Sequence, residues 1–357
     1  MLTKEQVIAL AHAYGADEVG FTSMDRFEGA PPQMDPRFAM PRAKTMIVFG
    51  FRTFRGSLRG VEEGTFFGSY STMCYGYINQ NVLPWTSRRI CQVIEDEGYE
   101  AMPIGYDFAY GAINTNTGRS WKNNETGYSV PVAPGLPRPD IYMSLRIAGF
   151  LAGLGEIGWS KVFLSRKFGP RVRLGCVMTD MEFEPDPIMP PGTLCNRCKA
   201  CAKACPGHSI STEKSVKVHL AGYDVEWGEL DEDGCNRAFV GAEQCKDGET
   251  GDYLAERTIM DASGNVVKKK KTYNTAFADD LTQYKPSAIT PFYRKPATMY
   301  GTGQAICGGK GCVRACMMSL EARDVLENKF KNSFRRRPAW QIDWDEIRAR
   351  DAAEDAD

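Results

Sequence analysis

Four cysteines lie close together in the segment CNRCKACAKACPG, residues 195–207. They are Cys195, Cys198, Cys201 and Cys205, and a proline follows the last of them. The spacing C-x2-C-x2-C-x3-C-P is typical of a [4Fe–4S] site in which the first three cysteines bind one cluster and the fourth binds another. The motif therefore predicts two clusters and further cysteine ligands elsewhere in the chain.

A second cysteine group, in ICGGKGCVRACMMSLE, offers ligands for the other cluster. It contains Cys307, Cys312 and Cys316. In two-cluster proteins each group sends one cysteine to the other cluster. We therefore expect Cys316 to complete the cluster of the first three cysteines, which leaves Cys205, Cys307 and Cys312 one ligand short.

The missing ligand has two candidates between the groups, Cys235 and Cys245, and we favour Cys235. Two departures from the usual pattern leave a [3Fe–4S] cluster, or one cluster with a structural thiol group, as open alternatives. Four residues rather than two separate Cys307 from Cys312, and Met317 stands after Cys316 where a proline is usual. Zinc is a further alternative, but zinc sites usually pair two separated C-x2-C units. The predicted ligand sets are Cys195, Cys198, Cys201 and Cys316, and Cys205, Cys235, Cys307 and Cys312.

Composition narrows the class of protein. The chain has 357 residues and 12 cysteines, and its 44 Lys and Arg nearly balance 45 Asp and Glu. A net charge of −1 does not favour nucleic acid or a membrane surface, so a small-molecule substrate is the default expectation. No apolar run approaches the ~18 residues of a membrane span, and the N-terminal sequence lacks a signal-peptide core and a twin-arginine pair. These features predict a cytoplasmic protein whose cysteines are metal ligands and buried thiols rather than disulfides.

The hydrophobic pattern before the cysteines predicts an α/β fold. Residues 3–14 read as an amphipathic helix with a Thr3–Gln6 capping box, and residues 45–51 as a buried strand. A helix over 87–97 leads to a strand that ends near residue 104. Alternating helices and buried strands are typical of an α/β sandwich. Residues 105–140 read as long loops.

Several further segments can be interpreted from their composition. A proline-rich linker, residues 181–191, leads to the cysteine motif. The Ser-Gly-Asn sequence at 263–265, between β-rich flanks, predicts a hairpin. The acidic tail after Arg337 reads as peripheral. Cys74, Cys91 and Cys176 read as small buried hydrophobic residues.

The sequence GLGEIG, residues 153–158, matches the dinucleotide-binding fingerprint G-x-G-x-x-G. The fingerprint requires a strand before the glycines and a long helix after them. Here the preceding apolar residues recur at helical spacing, and Gly169-Pro170 interrupts the chain soon afterwards. We therefore expect a glycine turn packed against another backbone or a cofactor, which makes Gly153, Gly155 and Gly158 candidate cofactor contacts.

Two segments carry a resemblance to a known family. AGLGEIGWSKVFLSRKFGPRVRLGCVMTDMEFEPD and the following CNRCKACAKACP resemble the cobalamin-dependent iron–sulfur reductases, namely the reductive dehalogenases and the epoxyqueuosine reductases. The resemblance implies a nitroreductase-like α/β domain that binds a corrinoid over residues 1–190. It implies a ferredoxin-like domain with two [4Fe–4S] clusters over 191–330, with an insertion at 206–306, and a C-terminal tail at 331–357.

The same resemblance implies a base-off cobalamin with no protein ligand to cobalt. None of His12, His208 and His219 follows an aspartate in the D-x-H-x-x-G motif, which excludes histidine ligation of that kind. The residues themselves do not distinguish a corrinoid from a flavin in such a fold.

The family uses a tyrosine, made more acidic by a nearby cation, or a carboxylic acid as proton donor. The segment PRPDIYMSLRIAG contains Asp140, Tyr142 and Arg146, and Tyr128 precedes it. The aspartate of the epoxyqueuosine reductases falls at or next to Asp140, although the flanking residues differ. We predict Tyr142 or Asp140 as the donor.

The predicted function is that of a soluble cobalamin- and [4Fe–4S]-dependent reductase of reductive dehalogenase type, working anaerobically on a small electrophilic substrate. A low-potential donor such as ferredoxin or flavodoxin would supply electrons, and a homodimer is compatible with this function. Two alternatives stay open. One is an epoxyqueuosine reductase acting on tRNA, and the other is an electron-transfer or corrinoid-activating protein without its own substrate.

Overall fold

The structure is a computed structural model of the 357-residue chain. It describes residues 2–104, 131–139, 141–239, 255–260, 266–272 and 305–343, and positions 346, 349 and 353. The strands are β1 Glu18–Ser23, β2 Thr45–Arg52, β3 Ala101–Ile104, β4 Gly155–Ile157, β5 Phe163–Ser165, β6 Val172–Thr179, β7 Ile210–Leu220, β8 Tyr223–Leu230, β9 Ala255–Met260 and β10 Val266–Thr272. The helices are α1 Lys4–Ala13, α2 Arg55–Glu63, α3 Gly68–Ser71, α4 Leu83–Asp96, α5 Leu145–Leu151, α6 Ala200–Lys203, α7 Glu232–Phe239, α8 Ile306–Lys310 and α9 Cys312–Ala322, with a π-helical stretch Thr72–Val82 between α3 and α4.

The main sheet has the strand order β1-β2-β6-β3, and its neighbouring strands are antiparallel. Side chains of β2 alternate between its two faces. Met46 and Val48 pack with α5, whereas Ile47 and Phe49 pack with α1 and α4. The sheet is thus covered on both faces by helices, which confirms the mixed α/β architecture. The predicted division at residues 190 and 330 stays a prediction.

Helix α1 follows the local rules of its sequence. The Thr3 hydroxyl accepts a hydrogen bond from the Gln6 N–H at 3.2 Å, and the Gln6 side chain accepts one from the Thr3 N–H at 2.8 Å. Gly15, with φ +105°, ends the helix in a conformation that favours glycine. The predicted capping box and stop are therefore confirmed.

Helix α4 begins earlier than predicted, at Leu83 rather than residue 87. Pro84 lies in its first turn and, having no N–H, cannot donate a hydrogen bond back to the preceding π-helical stretch. The helix continues directly from the π-helical stretch, so no N-cap signal marks its start. Gly98, with φ +87°, follows its end as expected.

The second half of the chain combines two hairpins with helices of 4 to 11 residues. Strands β7 and β8 form an antiparallel hairpin, and α6 and α9 pack together. Strands β9 and β10 pair antiparallel on either side of residues 261–265, which confirms the predicted hairpin. The reading of the tail as peripheral is wrong at Trp340, because its indole N–H donates to the Val61 carbonyl at 2.8 Å and its ring packs beside Phe67.

Candidate metal centre

The loop that carries the first three cysteines has an unusual backbone. Arg197 and Lys199 both have positive φ, +55° and +58°, and α6 begins directly after Lys199. Backbone turns of this kind bring successive N–H groups to one side and form anion-binding concavities, including those of iron–sulfur sites. The local geometry therefore suits an anionic centre beside Cys198 and Cys201.

Glu156 holds the start of this loop. Its carboxylate accepts hydrogen bonds from the backbone N–H groups of Gly192 at 2.6 Å and Cys195 at 2.8 Å, and also from that of Leu194. The residue is 2% exposed. A buried carboxylate requires such partners, because an unpaired one would be strongly unfavourable. Glu156 lies in β4, so the β4–β5 hairpin anchors the cysteine loop.

Trp159 makes a second connection between this hairpin and the loop. Its backbone N–H donates to the Cys195 sulfur at 3.3 Å, and its indole N–H donates to the Ser211 carbonyl at 2.8 Å. The Lys199 ammonium lies 5.0 Å from the centre of its ring. An N–H directed at sulfur favours the thiolate, which is the form that binds metal.

Cys316, from α9, lies with the first three cysteines. Burial raises the pKa of its thiol well above the ordinary value, and the neighbouring thiols Cys195, Cys201, Cys312 and Cys198 raise it further. Three of these four belong to the CxxCxxC segment. Cys316 therefore lies near the first cysteine motif, and it also lies near Cys312 of its own motif.

Cys307 lies near the other three cysteines of the second predicted set. Burial raises the pKa of its thiol well above the ordinary value, followed by the effects of Cys312, Cys235 and Cys205. Burial also raises the pKa of the Cys235 thiol to about 11, with Cys205 as the next cause. The Ser209 N–H donates to the Cys205 sulfur at 3.5 Å. Cys235 therefore lies near Cys205 and Cys307, whereas Cys245 lies outside the described residues, and the choice between them stays a prediction.

The two cysteine groups share one local geometry. Ala305, with φ +49°, precedes α8 as Lys199 precedes α6. Cys201 and Cys307 are each the second residue of the helix that follows. Within the described ranges, no three His, Cys, Asp or Glu side chains converge on a point that suits one metal ion. A cluster has a different requirement, because each thiolate binds a separate iron atom. The assignment of the eight ligands stays a prediction.

The predicted proton donors are only partly within the described chain. Tyr142 is half-buried, and its N–H donates to the Gln33 carbonyl at 2.8 Å. Arg146 is exposed on α5, and its charge acts to lower the pKa of Cys235 against the larger effect of burial. Its charge thus acts on Cys235 of the second predicted set. Asp140 and Tyr128 lie outside the described residues.

The GLGEIG glycines lie against protein backbone. A Cβ on Gly153 would come within 2.3 Å of the Pro187 oxygen, and one on Gly155 within 1.9 Å of the Leu164 oxygen. Gly155 opens a strand paired with β5 rather than a phosphate-binding turn, so the rejection of a dinucleotide fingerprint is confirmed. Cofactor contact by Gly153, Gly155 or Gly158 stays a prediction.

The remaining described cysteines and the histidines fit structural roles. Cys74, Cys91 and Cys176 are buried, as predicted, and burial raises the pKa of Cys176 to about 12. His12 forms a 2.8 Å hydrogen bond with the Ala16 carbonyl. His219 pairs with Asp224 at 2.8 Å on the surface.

Sequence reasoning missed Glu156 and Trp159 as supports of the first cysteine set. One signal was present for Glu156, because an acidic residue inside the apolar run LAGLGEIGW is rarely buried without a specific partner. Trp159 offered no comparable signal, since its role depends on a backbone N–H that any residue possesses.

Comparison with known proteins agrees with the sequence resemblance. The chain is 31% identical over 188 residues to a tetrachloroethene reductive dehalogenase of Desulfitobacterium hafniense, a match that covers 51% of this chain and 26% of that protein. It is also 39% identical over 69 residues to an epoxyqueuosine reductase of Listeria monocytogenes, covering 19% of this chain and 18% of the relative. The sequence is related to both groups of reductases. The first match thus spans about a quarter of the reductive dehalogenase.

No family profile matches the chain. Among solved structures, a catabolic reductive dehalogenase is similar with a TM-score of 0.44 and 20% identity, covering 68% of this chain and 30% of that one. The relationship to the reductases therefore rests on the sequence matches. In the described part of the chain no helix has the length and apolar character needed to cross a membrane.

Proposed function

We propose that the protein is a cobalamin- and iron–sulfur-dependent reductase of the reductive dehalogenase type. The observation that supports this proposal is that cysteines of the two motifs and Cys235 lie near one another, in a chain whose sequence is similar to reductases. Cys316 lies with the first set, and Cys235 lies with Cys205 and Cys307.

The cysteine sets fit two [4Fe–4S] clusters by donor chemistry. Thiolates are the usual ligands of such clusters, and each set offers four. Backbone N–H groups directed at Cys195 and Cys205 would stabilise the anionic sulfurs. The clusters would pass single electrons from a donor protein toward the catalytic site.

A corrinoid is the proposed second cofactor, on the basis of the sequence relationship. When bound, it supplies a low-potential cobalt centre able to reduce electrophilic carbon. Two of the three histidines fit a corrinoid without a histidine ligand, because His12 bonds to the Ala16 carbonyl and His219 pairs with Asp224 on the surface. A bound flavin is the competing cofactor.

The chain's own residues would deliver the proton. Tyr142 and Asp140 are the proposed donors, with Tyr128 as a further candidate. Arg146, which lies beside Cys235, would favour an ionised neighbour through its positive charge. The substrate is proposed to be a small electrophilic molecule. A ferredoxin or flavodoxin would be the electron donor in an anaerobic cytoplasm, and a homodimer is included in the proposal.

Cofactor content tests the proposal directly. Protein purified anaerobically after supply of cobalamin should contain about eight irons and one cobalt per chain. Its absorbance spectrum should change on reduction in the way expected for a base-off corrinoid. Iron without cobalt, accompanied by a bound flavin, would contradict the corrinoid assignment and leave an electron-transfer or flavin protein.

The ligand set is tested by matched cysteine variants. Cys235→Ala should lose about four irons, because the second cluster would lack one thiolate. Cys245→Ala should keep the full iron content, and Cys91→Ala is the control for loss of a buried thiol outside both sets. Loss of iron in Cys245→Ala with none in Cys235→Ala would reverse the assignment.

Epoxyqueuosine reduction in tRNA is the second candidate. It is favoured by the 39% identity to the Listeria monocytogenes enzyme, although this covers only 69 residues. The loaded protein can be incubated with a reductant and either a halogenated aromatic compound or tRNA that contains epoxyqueuosine. Conversion of the tRNA alone would select this candidate.

A further inference from the structure

One thiol of the first set reaches the surface. Of the cysteines within the described ranges, only Cys198 is exposed, whereas Cys201 and Cys205 are buried. Its sulfur lies 3.6 Å from the Ser319 hydroxyl on α9. A ligand at the surface marks the shortest route by which an external redox centre could approach the cluster of this set.

The segment that begins with the first cysteine motif is basic, although the chain as a whole has a net charge of −1. Between residues 195 and 217 there are five Lys and Arg residues and a single acid, Glu213. Four of these cations are exposed, and we call them the basic face. The basic face consists of Arg197, Lys203, Lys214 and Lys217.

Contacts hold this face in place. The Lys199 ammonium donates to the Thr212 carbonyl and so ties the cysteine loop to β7. Glu226, on β8, accepts an ion pair from Arg197 at 2.7 Å and lies 4.0 Å from Lys217. One carboxylate thus orders two cations without neutralising both.

We propose that the basic face binds an acidic, low-potential electron carrier protein of the ferredoxin or flavodoxin kind, and that electrons enter the first cysteine set at Cys198. One electron would leave the reduced carrier and enter the cluster, with no bond made or broken. Opposite charge on the two surfaces would raise the association rate and fix the orientation. The inference rests on the proposed function, because it requires a cluster in the first cysteine set.

Charge reversal tests the proposal with a flavodoxin of net negative charge as probe. The double variant Lys203→Glu/Lys214→Glu changes exposed side chains only. We expect its affinity for the flavodoxin, measured by calorimetry at low ionic strength, to fall at least about tenfold, and the difference to shrink at high salt. The rate of cluster reduction by dithionite, a small reductant, should not change.

The control variant is Arg42→Glu/Arg88→Glu, which makes the same change of charge at exposed positions elsewhere. Equal loss of affinity in this control, or wild-type affinity in Lys203→Glu/Lys214→Glu, would overturn the docking proposal. Both results would leave the proposed function intact if iron content and reduction by dithionite are normal. Absence of iron from the wild-type protein would instead contradict the proposed function.

Discussion

At the scale of single residues, two buried acids have opposite surroundings. Glu156 accepts three backbone hydrogen bonds, whereas the Oε2 atom of Glu18 is buried without a hydrogen-bond partner in the described part of the chain. A buried carboxylate that accepts hydrogen bonds stabilises the structure around it. Burial without such partners raises the pKa of the carboxyl group. The two residues therefore give different predictions.

Removal of the Glu156 carboxylate should loosen the first cysteine loop. In Glu156→Ala, three backbone N–H groups, of which that of Leu194 is buried, lose their acceptor, and we expect the free energy of unfolding to fall by about 3 kcal/mol. Iron content should fall as well, because Cys195 lies at the end of this hydrogen-bonded segment. Chemical denaturation and iron analysis measure both effects. Glu182→Ala, at a side chain that is 77% exposed, is the control and should change neither quantity.

Glu18 should make stability depend on pH. Burial raises its pKa from 4.5 to about 7, and the hydroxyl of Ser165 opposes the rise. Between about pH 4.5 and 7 the folded state keeps a proton on Glu18 that the unfolded state releases. The free energy of unfolding therefore falls as pH rises through this range. The loss is about 3 kcal/mol.

The variant Glu18→Gln cannot ionise and should unfold at higher denaturant concentration than the wild type at pH 8. At pH 4 the two proteins should be similar. Urea denaturation at both values measures the difference. An equal difference at the two pH values would mean that ionisation of Glu18 is not its cause.

At the scale of elements, helix α2 is held to the second half of the chain by charge. Glu62 is 7% exposed and forms ion pairs with Arg314 on α9 and with Arg335. Burial lowers the pKa of Arg335, and the nearby Arg314 lowers it further, while Glu62 acts in the opposite direction. Glu62 is thus the counter-charge that allows two arginines to lie close together.

Loss of this counter-charge should weaken the contact between α2 and α9. In Glu62→Gln the two arginines stay partly buried without their carboxylate, and breaking a buried pair in this way costs about 3–5 kcal/mol. Thermal unfolding would report the change. Glu95→Gln, an exposed position on α4, should leave the melting temperature unchanged. A similar small effect in both variants would show that the ion pairs contribute little.

At the scale of the whole molecule, the two halves have different sources of stability. The main sheet lies between two large apolar clusters that contain none of the predicted ligands. The apolar clusters around the cysteines are smaller and include Cys195, Cys201 and Cys205 among their members. The cysteine-bearing segments should therefore depend on metal for much of their folding energy, whereas β7 and β8 also pack into a main-sheet cluster through Leu220, Val225 and Trp227.

Removal of iron should lower amide protection against hydrogen exchange near the cysteines but not in the main sheet. After anaerobic chelation, we expect amide protection to be lost at residues 195–209 and 305–322, while β2 and β6 keep theirs, because metal binding and folding are coupled only where the ligands lie. Mass spectrometry of peptides reports each region. Equal loss of protection in the sheet would show that the chain folds as one unit with its metal.

The sequence by itself determined the features that depend on neighbouring residues. The capping box of α1 joins residues three positions apart, and the buried strand β2 follows from a continuous apolar run. The cysteine spacing predicted two ligand sets in the same way, because cluster geometry restricts the separation of ligands along a short loop. These inferences needed no knowledge of distant contacts.

Only the tertiary structure decided which distant residues meet. It brought Cys235 to Cys205 and Cys307, Glu156 to the backbone of residues 192–195, and Glu62 to an arginine 252 positions away. It also placed Trp340 on α2, where composition suggested a peripheral tail. The physical reason is that local propensity and spacing act over a few residues, whereas these contacts depend on how the packed elements align.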